Sequence, residues 1–254
     1  MMNIGVQTFT IRKYQKKNLY NSIKKLVDLG FNSFELARIK FNRKNALIIK
    51  ELIKDFNINI VSIQAKPKDV FNHKEQLIEF CKLVNCENII LSMLPFKCIL
   101  GNDNDFYDFL ITLDPLYDEY MNSGIELGYH HHNWEYTKLD NGKFIMDELL
   151  EKTNRIKFVH DTYWTTKSGR SSSEQIISFD KRLLGVHLRD INFYRKNIKV
   201  LSKDTELGNG IINFNDVIEK AKYAKYLVIE QKTKTPYERL NKSMEYIKGI
   251  ICKK

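Results

Sequence analysis

The sequence predicts an α/β fold, a single (β/α)8 TIM barrel that spans residues 1–254 as one domain. Three observations lead to this prediction. The length of 254 residues is what one eight-unit barrel needs. Short apolar, β-rich runs alternate with amphipathic helical segments along the chain, and the pair recurs eight times. Strict alternation implies parallel strands joined by crossovers, and eight such units can close into a barrel.

The first half of the chain contains four strand-and-helix units. The predicted strands are Ile4–Phe9, Ser33–Ala37, Asn59–Ala65 and Asn88–Leu94. The predicted helices are Leu19–Leu29, Ala46–Phe56, Val70–Val84 and Asp105–Met121. The first helix carries Leu19, Ile23 and Leu26 on one face. Gly30 then ends it, and Pro115 is expected to break the fourth helix.

The second half repeats the alternation. Its predicted strands are Ile125–His131, Lys157–Thr162, Leu183–Arg189 and Tyr226–Gln231. Its helices are Phe144–Glu151, Ser173–Phe179, Phe214–Tyr223 and Tyr237–Ile251. A long polar connection is expected from Asp190 to Asn213. An open doubly wound sheet is the alternative, but no G-x-G-x-x-G motif follows the first strand, which weakens its dinucleotide-binding version.

The formal net charge is +10 and the isoelectric point is near 9.2. Such a balance suits an anionic partner, either nucleic acid or a phosphorylated substrate. The lysines are spread over most of the predicted helices instead of forming one block. We therefore expect no nucleic-acid partner.

The sequence also predicts the cellular compartment of the protein. No apolar run approaches the roughly 18 residues of a membrane span, and the segment from Met1 to Val6 does not resemble a signal peptide. We expect a cytoplasmic protein with no membrane partner. The four cysteines form no C-x-x-C pair and are predicted to be inert thiols: Cys81, Cys86, Cys98 and Cys252.

Polar side chains gather at the carboxyl ends of the predicted strands, where barrel enzymes have their active sites. Five of the six histidines lie there, in three segments that each end a strand. Only His73 lies elsewhere, in a predicted helix, and it is expected at the surface. Several carboxylates also reach this rim, and a cation offsets the cost of burying them together. The pattern predicts a metal site of carboxylates and imidazole.

Strand parity selects some of the inward side chains. On the last strand, the residues that alternate with Glu230 are apolar and suit the face towards the helices. Glu230 is therefore expected to point into the barrel. On the seventh strand, three residues are expected to face the helices: Leu184, Val186 and Leu188. His187 and Arg189 then point inward. On the sixth strand, parity alone leaves open whether Asp161 or His160 does so.

Read in order, these segments resemble the xylose isomerase-like TIM barrel family of sugar phosphate isomerases and epimerases, within the superfamily of AP endonuclease family 2. Six segments carry the resemblance: Gly30–Leu36 (G-[FY]-x-x-[IV]-E), Tyr129–Tyr136 (Y-H-N-H-x-x-E-F), Asp161–Trp164 (D-x-x-W), His187–Asp190 (H-x-K-D), Glu206–Gly210 (x-L-G-E-G) and Val228–Gln231 ([VI]-x-E-Q-D). Together they cover nearly the whole chain.

The resemblance implies one divalent metal ion, with Mn²⁺ expected and Mg²⁺, Co²⁺ or Zn²⁺ as alternatives. It implies four metal ligands: Glu135, Asp161, His187 and Glu230. Glu135 and Glu230 would also exchange a proton with opposite faces of a sugar or sugar phosphate, through a metal-stabilised enediolate. Six residues are the substrate-binding candidates: Glu35, Gln64, His130, His132, Trp164 and Arg189. Barrels of this type often form homo-oligomers.

Several residues depart from the family pattern. His131 stands in place of Asn, and Arg189 in place of Lys. Asn209 and Lys232 replace acidic residues, which makes the rim more positive. These changes leave the substrate and the reaction open. A keto-sugar or inosose dehydratase or lyase on the same metal is the main alternative.

Two further alternatives are weaker. An endonuclease IV-like nuclease needs three metal ions, yet Gln64, Ser92 and Trp164 stand where further ligands are required. A non-catalytic sugar-binding protein would tend to have lost at least one of the four implied ligands.

Overall fold

The computed structural model describes residues 4–251, and in this range the chain forms a closed barrel of eight parallel strands in the order β1-β10-β7-β6-β5-β4-β3-β2. The strands are β1 Ile4–Gln7, β2 Ser33–Ala37, β3 Asn59–Ala65, β4 Asn88–Leu91, β5 Glu126–His130, β6 Lys157–Asp161, β7 Leu183–Leu188, β8 Asp190–Lys196, β9 Lys199–Thr205 and β10 Tyr226–Ile229. Strands β8 and β9 form a separate two-stranded sheet. The predicted (β/α)8 barrel is confirmed.

The helices surround the barrel. They are α1 Arg12–Gln15, α2 Leu19–Asp28, α3 Arg43–Phe56, α4 Pro67–Asn72, α5 Lys74–Leu83, α6 Phe96–Leu100, α7 Asp103–Leu110, α8 Leu113–Met121, α9 Ile145–Lys152, α10 Thr162–Lys167, α11 Ser172–Phe179, α12 Phe214–Lys220 and α13 Pro236–Ile251. Short 3-10 helices cover Thr8–Ile11, Trp134–Tyr136 and Asp180–Arg182. Asparagine side chains begin α2 and α3 by accepting hydrogen bonds from backbone N–H groups of the first turn.

The barrel interior is apolar towards the amino ends of its strands. The buried side chains that meet there are Ile90, Val159, Leu184, Tyr226 and Val228. Gly185 is required beside them, because a Cβ atom at this position would lie 2.4 Å from the Tyr226 ring. The polar inward residues occupy the carboxyl ends of the strands, above this apolar layer.

The sixth and seventh strands refine the parity prediction. Val159 belongs to the interior cluster and Phe158 to the shell under the helices, so Asp161 is the inward residue of β6. Leu184 was expected to face the helices, and this was wrong. The register shifts between β6 and β7, so that Phe158 pairs with Leu183 and Val159 with Gly185. The extra residue in this bulge, Leu184, turns into the barrel.

The connection after β7 also differs from the prediction. A polar loop was expected from Asp190 to Asn213, but Asp190–Lys196 and Lys199–Thr205 pair as an antiparallel hairpin. Asp190 anchors the chain that returns from it, because its carboxylate accepts hydrogen bonds from the backbone N–H groups of Gly208, Gly210 and Ile212. The hairpin brings β9 beside the mouth of the barrel.

Two long predicted helices are each divided. Val70–Val84 splits into α4 and α5 at His73. This residue is exposed, as expected, and its ring contacts Asp69 of α4. Asp105–Met121 splits into α7 and α8 just before Pro115, so the expected break is confirmed. Proline is tolerated in the first turn of α8, where a backbone donor has no helical partner.

Between residues 4 and 251 no helix combines the length and apolar character needed to cross a membrane. In the same range the cysteines are free thiols, as expected for Cys81, Cys86 and Cys98. Cys252 lies outside the described residues.

Candidate functional site

Four residues at the mouth of the barrel bring metal-ligating atoms together. One atom each from His130, Asp161, His187 and Glu230 lies within 4.8 Å of the other three, and all four residues are buried. His187 Nδ1 lies 3.1 Å from Glu230 Oε2 and 3.9 Å from Asp161 Oδ2. His130 Nε2 lies 3.4 Å from Asp161 Oδ2. We call this group the ligand cluster.

The strand order explains why residues so far apart in sequence meet. Strands β5, β6, β7 and β10 are successive neighbours around the barrel, and Asp161 pairs with His187 in the register. Glu230 follows β10 directly. Asp161 is also oriented by its other oxygen, which accepts a hydrogen bond from the Trp164 backbone at 3.1 Å and begins α10.

A buried carboxylate orients His187 from below. Glu35 Oε1 lies 2.7 Å from His187 Nε2, so the Nδ1 side of the ring faces the cluster. Glu35 is in turn held by hydrogen bonds from three side chains: Gln7, Ser62 and Tyr226. A carboxylate behind a ligating histidine is the usual arrangement that fixes the ring and makes it more basic.

Burial and charge set the ionisation of this pair. Burial opposes the ionisation of Glu35, but the charge of His187 and hydrogen bonds from Ser62 and Gln7 outweigh it and lower the pKa of Glu35 to about 2. Burial also opposes the charged form of His187, but Glu35 and Glu230 outweigh it and raise the pKa of His187 to about 10. Without a metal, His187 is therefore a cation beside carboxylates.

Arg189 supplies the second positive charge. Its Nη1 lies 3.0 Å from Asp161 Oδ2 and 3.3 Å from Glu230 Oε1, and its Nη2 lies 3.0 Å from Asp204 Oδ2. Burial of the two cluster carboxylates is outweighed mainly by Arg189, so the pKa values of Asp161 and Glu230 lie below their ordinary range. Burial raises the pKa of Asp204 to about 6 in spite of Arg189.

Glu135, expected as a ligand and as a catalytic residue, does not join the ligand cluster. Its carboxylate accepts hydrogen bonds from the Tyr129 hydroxyl and from the His132 backbone N–H, the latter at 2.8 Å. Tyr129 points outward from β5 and packs in the shell under the helices. Glu135 lies in the short 3-10 helix that follows β5, close to Tyr129. His130, on the inward side of the same strand, takes the fourth place in the cluster. Burial raises the pKa of Glu135.

The side chains of the three consecutive histidines point in different directions. His130 faces the cluster, whereas His131 packs behind it, where its Nε2 accepts a hydrogen bond from the Asp161 backbone at 3.1 Å. Burial, with the charge of His130, lowers the pKa of His131 to about 3. His131 Nε2 also lies 3.2 Å from His160 Nδ1. Both His131 and His160 therefore act as neutral structural residues.

Four of the predicted substrate-binding residues have buried nitrogen atoms with no hydrogen-bond partner among the described residues. These atoms are Gln64 Nε2, His130 Nδ1, His132 Nδ1 and Trp164 Nε1. The rings of His132 and Trp164 lie 5.2 Å apart by their centroids. Such unsatisfied groups are costly to bury unless a ligand completes them.

Sequence reasoning missed four residues of the site: Gln7, Ser62, Tyr226 and Asp204. Gln7 is the last residue of β1, a position from which polar side chains reach the rim, and inward parity on β3 and β10 would have indicated the next two. Asp204 had no comparable signal because its segment was expected to be an irregular loop.

The ligand cluster fits a divalent metal ion. Four atoms bound at roughly 2.0–2.2 Å to one ion lie about 3–4 Å from each other. The separations of 3.1, 3.4 and 3.9 Å given above lie in this range, and all four ligand atoms lie within 4.8 Å of one another. His187 Nδ1 is buried and forms no hydrogen bond of regular geometry with the described residues, although carboxylates surround it. Two imidazoles and two carboxylates suit borderline ions such as Mn²⁺, Co²⁺ and Zn²⁺.

The sequence profile described as the xylose isomerase-like TIM barrel matches residues 23–250, most of the chain. The chain belongs to this family. No curated protein matches the sequence. The family assignment confirms the resemblance drawn from the strand-end segments.

Solved structures of the family are similar to this chain in fold. A sugar phosphate isomerase/epimerase from Parabacteroides distasonis has a TM-score of 0.79 at 16% identity, over 97% of this chain and 93% of that one. The probable 3-DHS dehydratase AsbF from Bacillus anthracis has a TM-score of 0.74 at 11% identity, over 97% and 99%. The IOLI protein with a bound zinc atom has a TM-score of 0.73 at 13% identity, over 99% of both chains. At these identities the likeness concerns the fold.

Proposed function

We propose that this protein is a divalent-metal-dependent isomerase of a sugar or sugar phosphate. The observation that carries the proposal is the convergence of His130, Asp161, His187 and Glu230 within 4.8 Å at the mouth of the barrel. In barrels of this type the carboxyl ends of the strands form the active site. The family assignment supports the same reaction class.

We propose these four residues as the metal ligands, with His130 in the place first given to Glu135. A divalent ion held there would supply Lewis-acid polarisation of the substrate oxygens, which makes the neighbouring C–H bond more acidic. The donor set supports Mn²⁺, Co²⁺ or Zn²⁺ more than Mg²⁺, because imidazole nitrogen suits the borderline ions. Glu35 would act as a positioning residue, through His187.

Glu230 is the proposed proton acceptor. It remains ionised because Arg189 and His187 outweigh the effect of burial on its pKa, and 6% of its surface is exposed at the mouth of the barrel. A carboxylate in this position can take a proton from a substrate carbon and return it to the neighbouring one. Gln64, His132 and Trp164 would donate hydrogen bonds to substrate oxygens, which completes their unsatisfied nitrogens.

The position of Glu135 bears on the reaction. Epimerisation by two carboxylates requires one on each face of the substrate, whereas Glu135 is bonded to Tyr129 on the outer side of β5. A single base at the mouth favours reactions in which one group moves the proton. Isomerisation is one such reaction, and β-elimination of water from a keto sugar is the second candidate. Mass analysis of products formed in D₂O separates the two, because isomerisation incorporates deuterium and elimination removes water.

The test of the proposal is the metal content of the purified protein, measured by plasma mass spectrometry after reconstitution with Mn²⁺. We expect about one equivalent in the wild type, and loss of the metal in Glu230→Gln and His187→Ala. Glu135→Gln is the matched control, because it removes a buried carboxylate outside the ligand cluster and should keep the metal. A wild type that takes up no divalent ion would refute the proposed mechanism, and three equivalents would favour the nuclease.

We also propose that residues 1–254 form one domain. The pairing of β1 with β10 supports this, since it joins the first and the last barrel strands in one closed sheet.

A further inference from the structure

A cavity opens at the carboxyl ends of β1, β2 and β3. It has a volume of about 670 Å³. Its lining includes an aromatic ring and five cationic side chains: Phe9, Arg12, Lys16, Arg38, Lys40 and Lys66. Among residues 4–251, no acidic side chain lines it. Its volume is within the range of small-molecule sites. We call it the cationic cavity.

The positive charges of this cavity are not neutralised by the protein. In the part of the chain that the structure describes, no carboxylate lies within 4.0 Å of any of the five cationic groups. This differs from the ligand cluster, where every carboxylate has a cationic neighbour. Like charges held together raise the energy of the free protein, and an anion bound among them lowers it.

Two arginines are held against the same ring. The guanidinium of Arg12 lies 4.1 Å from the centre of the Phe9 ring, and that of Arg38 lies 5.6 Å from it. Burial and the charge of Arg38 together lower the pKa of Arg12. Arg12 is half-buried and also donates a hydrogen bond to the Phe9 carbonyl at 3.1 Å. Two guanidinium groups, which bind oxyanions well, therefore lie beside the same aromatic ring.

The backbone of Arg38 is in a strained conformation. Arg38 has a φ of 60°, in the left-handed region that non-glycine residues seldom adopt. The preceding residue is tied down by both of its backbone groups, since Ala37 N–H donates to Thr8 Oγ1 and Ala37 C=O accepts from Thr8 and Gln15. Strained conformations of this kind occur where the surrounding structure holds a side chain in a functional position.

The cationic cavity is connected to the ligand cluster. The backbone N–H of Gln231, the residue after Glu230, donates a hydrogen bond of 2.9 Å to Thr10 Oγ1. Thr10 lies two residues before Arg12, so the turn that carries the proposed base and the segment that carries Arg12 are joined. The charge of Glu230 also acts on Arg12. Arg12 follows β1 and Glu230 follows β10, and these strands are neighbours, so the two sites adjoin at the mouth of the barrel.

We propose that the cationic cavity binds a phosphate ester group on the substrate, with Arg12 and Arg38 as its main ligands. The inference rests on the proposed function, because it takes the ligand cluster as the place where the sugar end of the same molecule reacts. A phosphate carries nearly two negative charges and several oxygen acceptors, which matches several cations better than a single carboxylate does.

The test compares two probes, D-fructose 6-phosphate and D-fructose, with inorganic phosphate and acetate as minimal anions. Binding is measured by calorimetry on the Mn²⁺-reconstituted wild type and on Arg12→Gln and Arg38→Gln. Arg195→Gln is the matched control, since Arg195 is an exposed arginine on β8 that does not line the cavity. Each variant is also checked for metal content.

We expect the phosphorylated sugar and inorganic phosphate to bind the wild type more tightly than D-fructose and acetate. Each cavity variant should weaken phosphate binding at least about tenfold, which corresponds to the loss of one charge-assisted hydrogen bond. Arg195→Gln should bind like the wild type. Equal phosphate binding in all variants, or acetate binding as tight as that of phosphate, would overturn the proposal.

The metal measurement separates this proposal from the proposed function. The wild type could take up no metal and still bind phosphate through Arg12 and Arg38. That result would support the cationic cavity as a phosphate site and refute the metal-dependent reaction. A metal-loaded wild type that binds D-fructose 6-phosphate no better than D-fructose would overturn the cavity alone.

Discussion

The charged side chains are arranged differently on the two sides of the barrel mouth. On the side of β5, β6, β7 and β10, carboxylates and cations are interleaved, and Arg189 alone contacts Asp161, Asp204 and Glu230. On the side of β1, β2 and β3, Arg12 and Arg38 share one aromatic ring without a carboxylate partner. The charges of the first side are paired with one another, whereas the cations of the second side are not paired with carboxylates of the described residues. This difference is the basis of our proposal that the second side binds an anion.

The strongest test of this comparison removes a cation from each side. Arg189→Met leaves three carboxylates without their shared partner, and breaking a buried pair costs about 3–5 kcal/mol. We expect the free energy of unfolding of the metal-free protein, measured by urea denaturation, to fall by that amount. Mn²⁺ should recover part of the loss by replacing the positive charge.

Arg38→Met is the control from the other side. It removes a charge that has no carboxylate partner and that sits in a strained backbone, so the free energy of unfolding should change by less than about 0.5 kcal/mol. Equal losses in the two variants would show that the charges on the two sides are not arranged differently.

The next effect concerns pH. In the metal-free protein the pKa of His187 is raised to about 10, so its charged form is stabilising below its ordinary value of 6.5, and this stabilisation is lost as the pH rises through about 10. Metal binding must displace that proton. The affinity for Mn²⁺ should therefore rise by up to about tenfold for each pH unit between 6.5 and 8.5, as measured by competition with a chelator. An affinity that is constant over this range would contradict the assigned protonation of His187.

A smaller effect is expected from the residue behind the ligand cluster. Glu35→Gln should weaken Mn²⁺ binding by about 10–100-fold, because outer partners of ligating histidines contribute that much. The metal should still bind at saturating concentration, since all four proposed ligands remain. Glu148→Gln is the matched control, because Glu148 is buried on α9 away from the mouth. A similar loss of affinity in both variants would argue against a positioning role for Glu35.

Much of the fold was predictable from local patterns. The eight strands lie within a few residues of their predicted positions because apolar runs and helical periodicity are local signals. His187 and Glu230 were predicted to point into the barrel because strand ends and side-chain alternation are also readable from sequence, whereas Asp161 was named as a ligand only through the family resemblance. The hairpin of β8 and β9 was missed because its exposed strands carry few apolar residues, so the segment reads as a polar loop.

The sequence by itself determined the barrel and the inward positions of two cluster residues, His187 and Glu230, because regular strands fix the direction of each side chain. Only the tertiary structure decided the rest. Leu184 faces inward through a register shift against β6, and Glu135 turns to Tyr129 because a residue in a turn has no alternation to direct it. Arg12 and Arg38 meet on Phe9 only because β1 and β2 are neighbours in the closed sheet. Each of these outcomes depends on contacts between chain segments, which a local pattern does not encode.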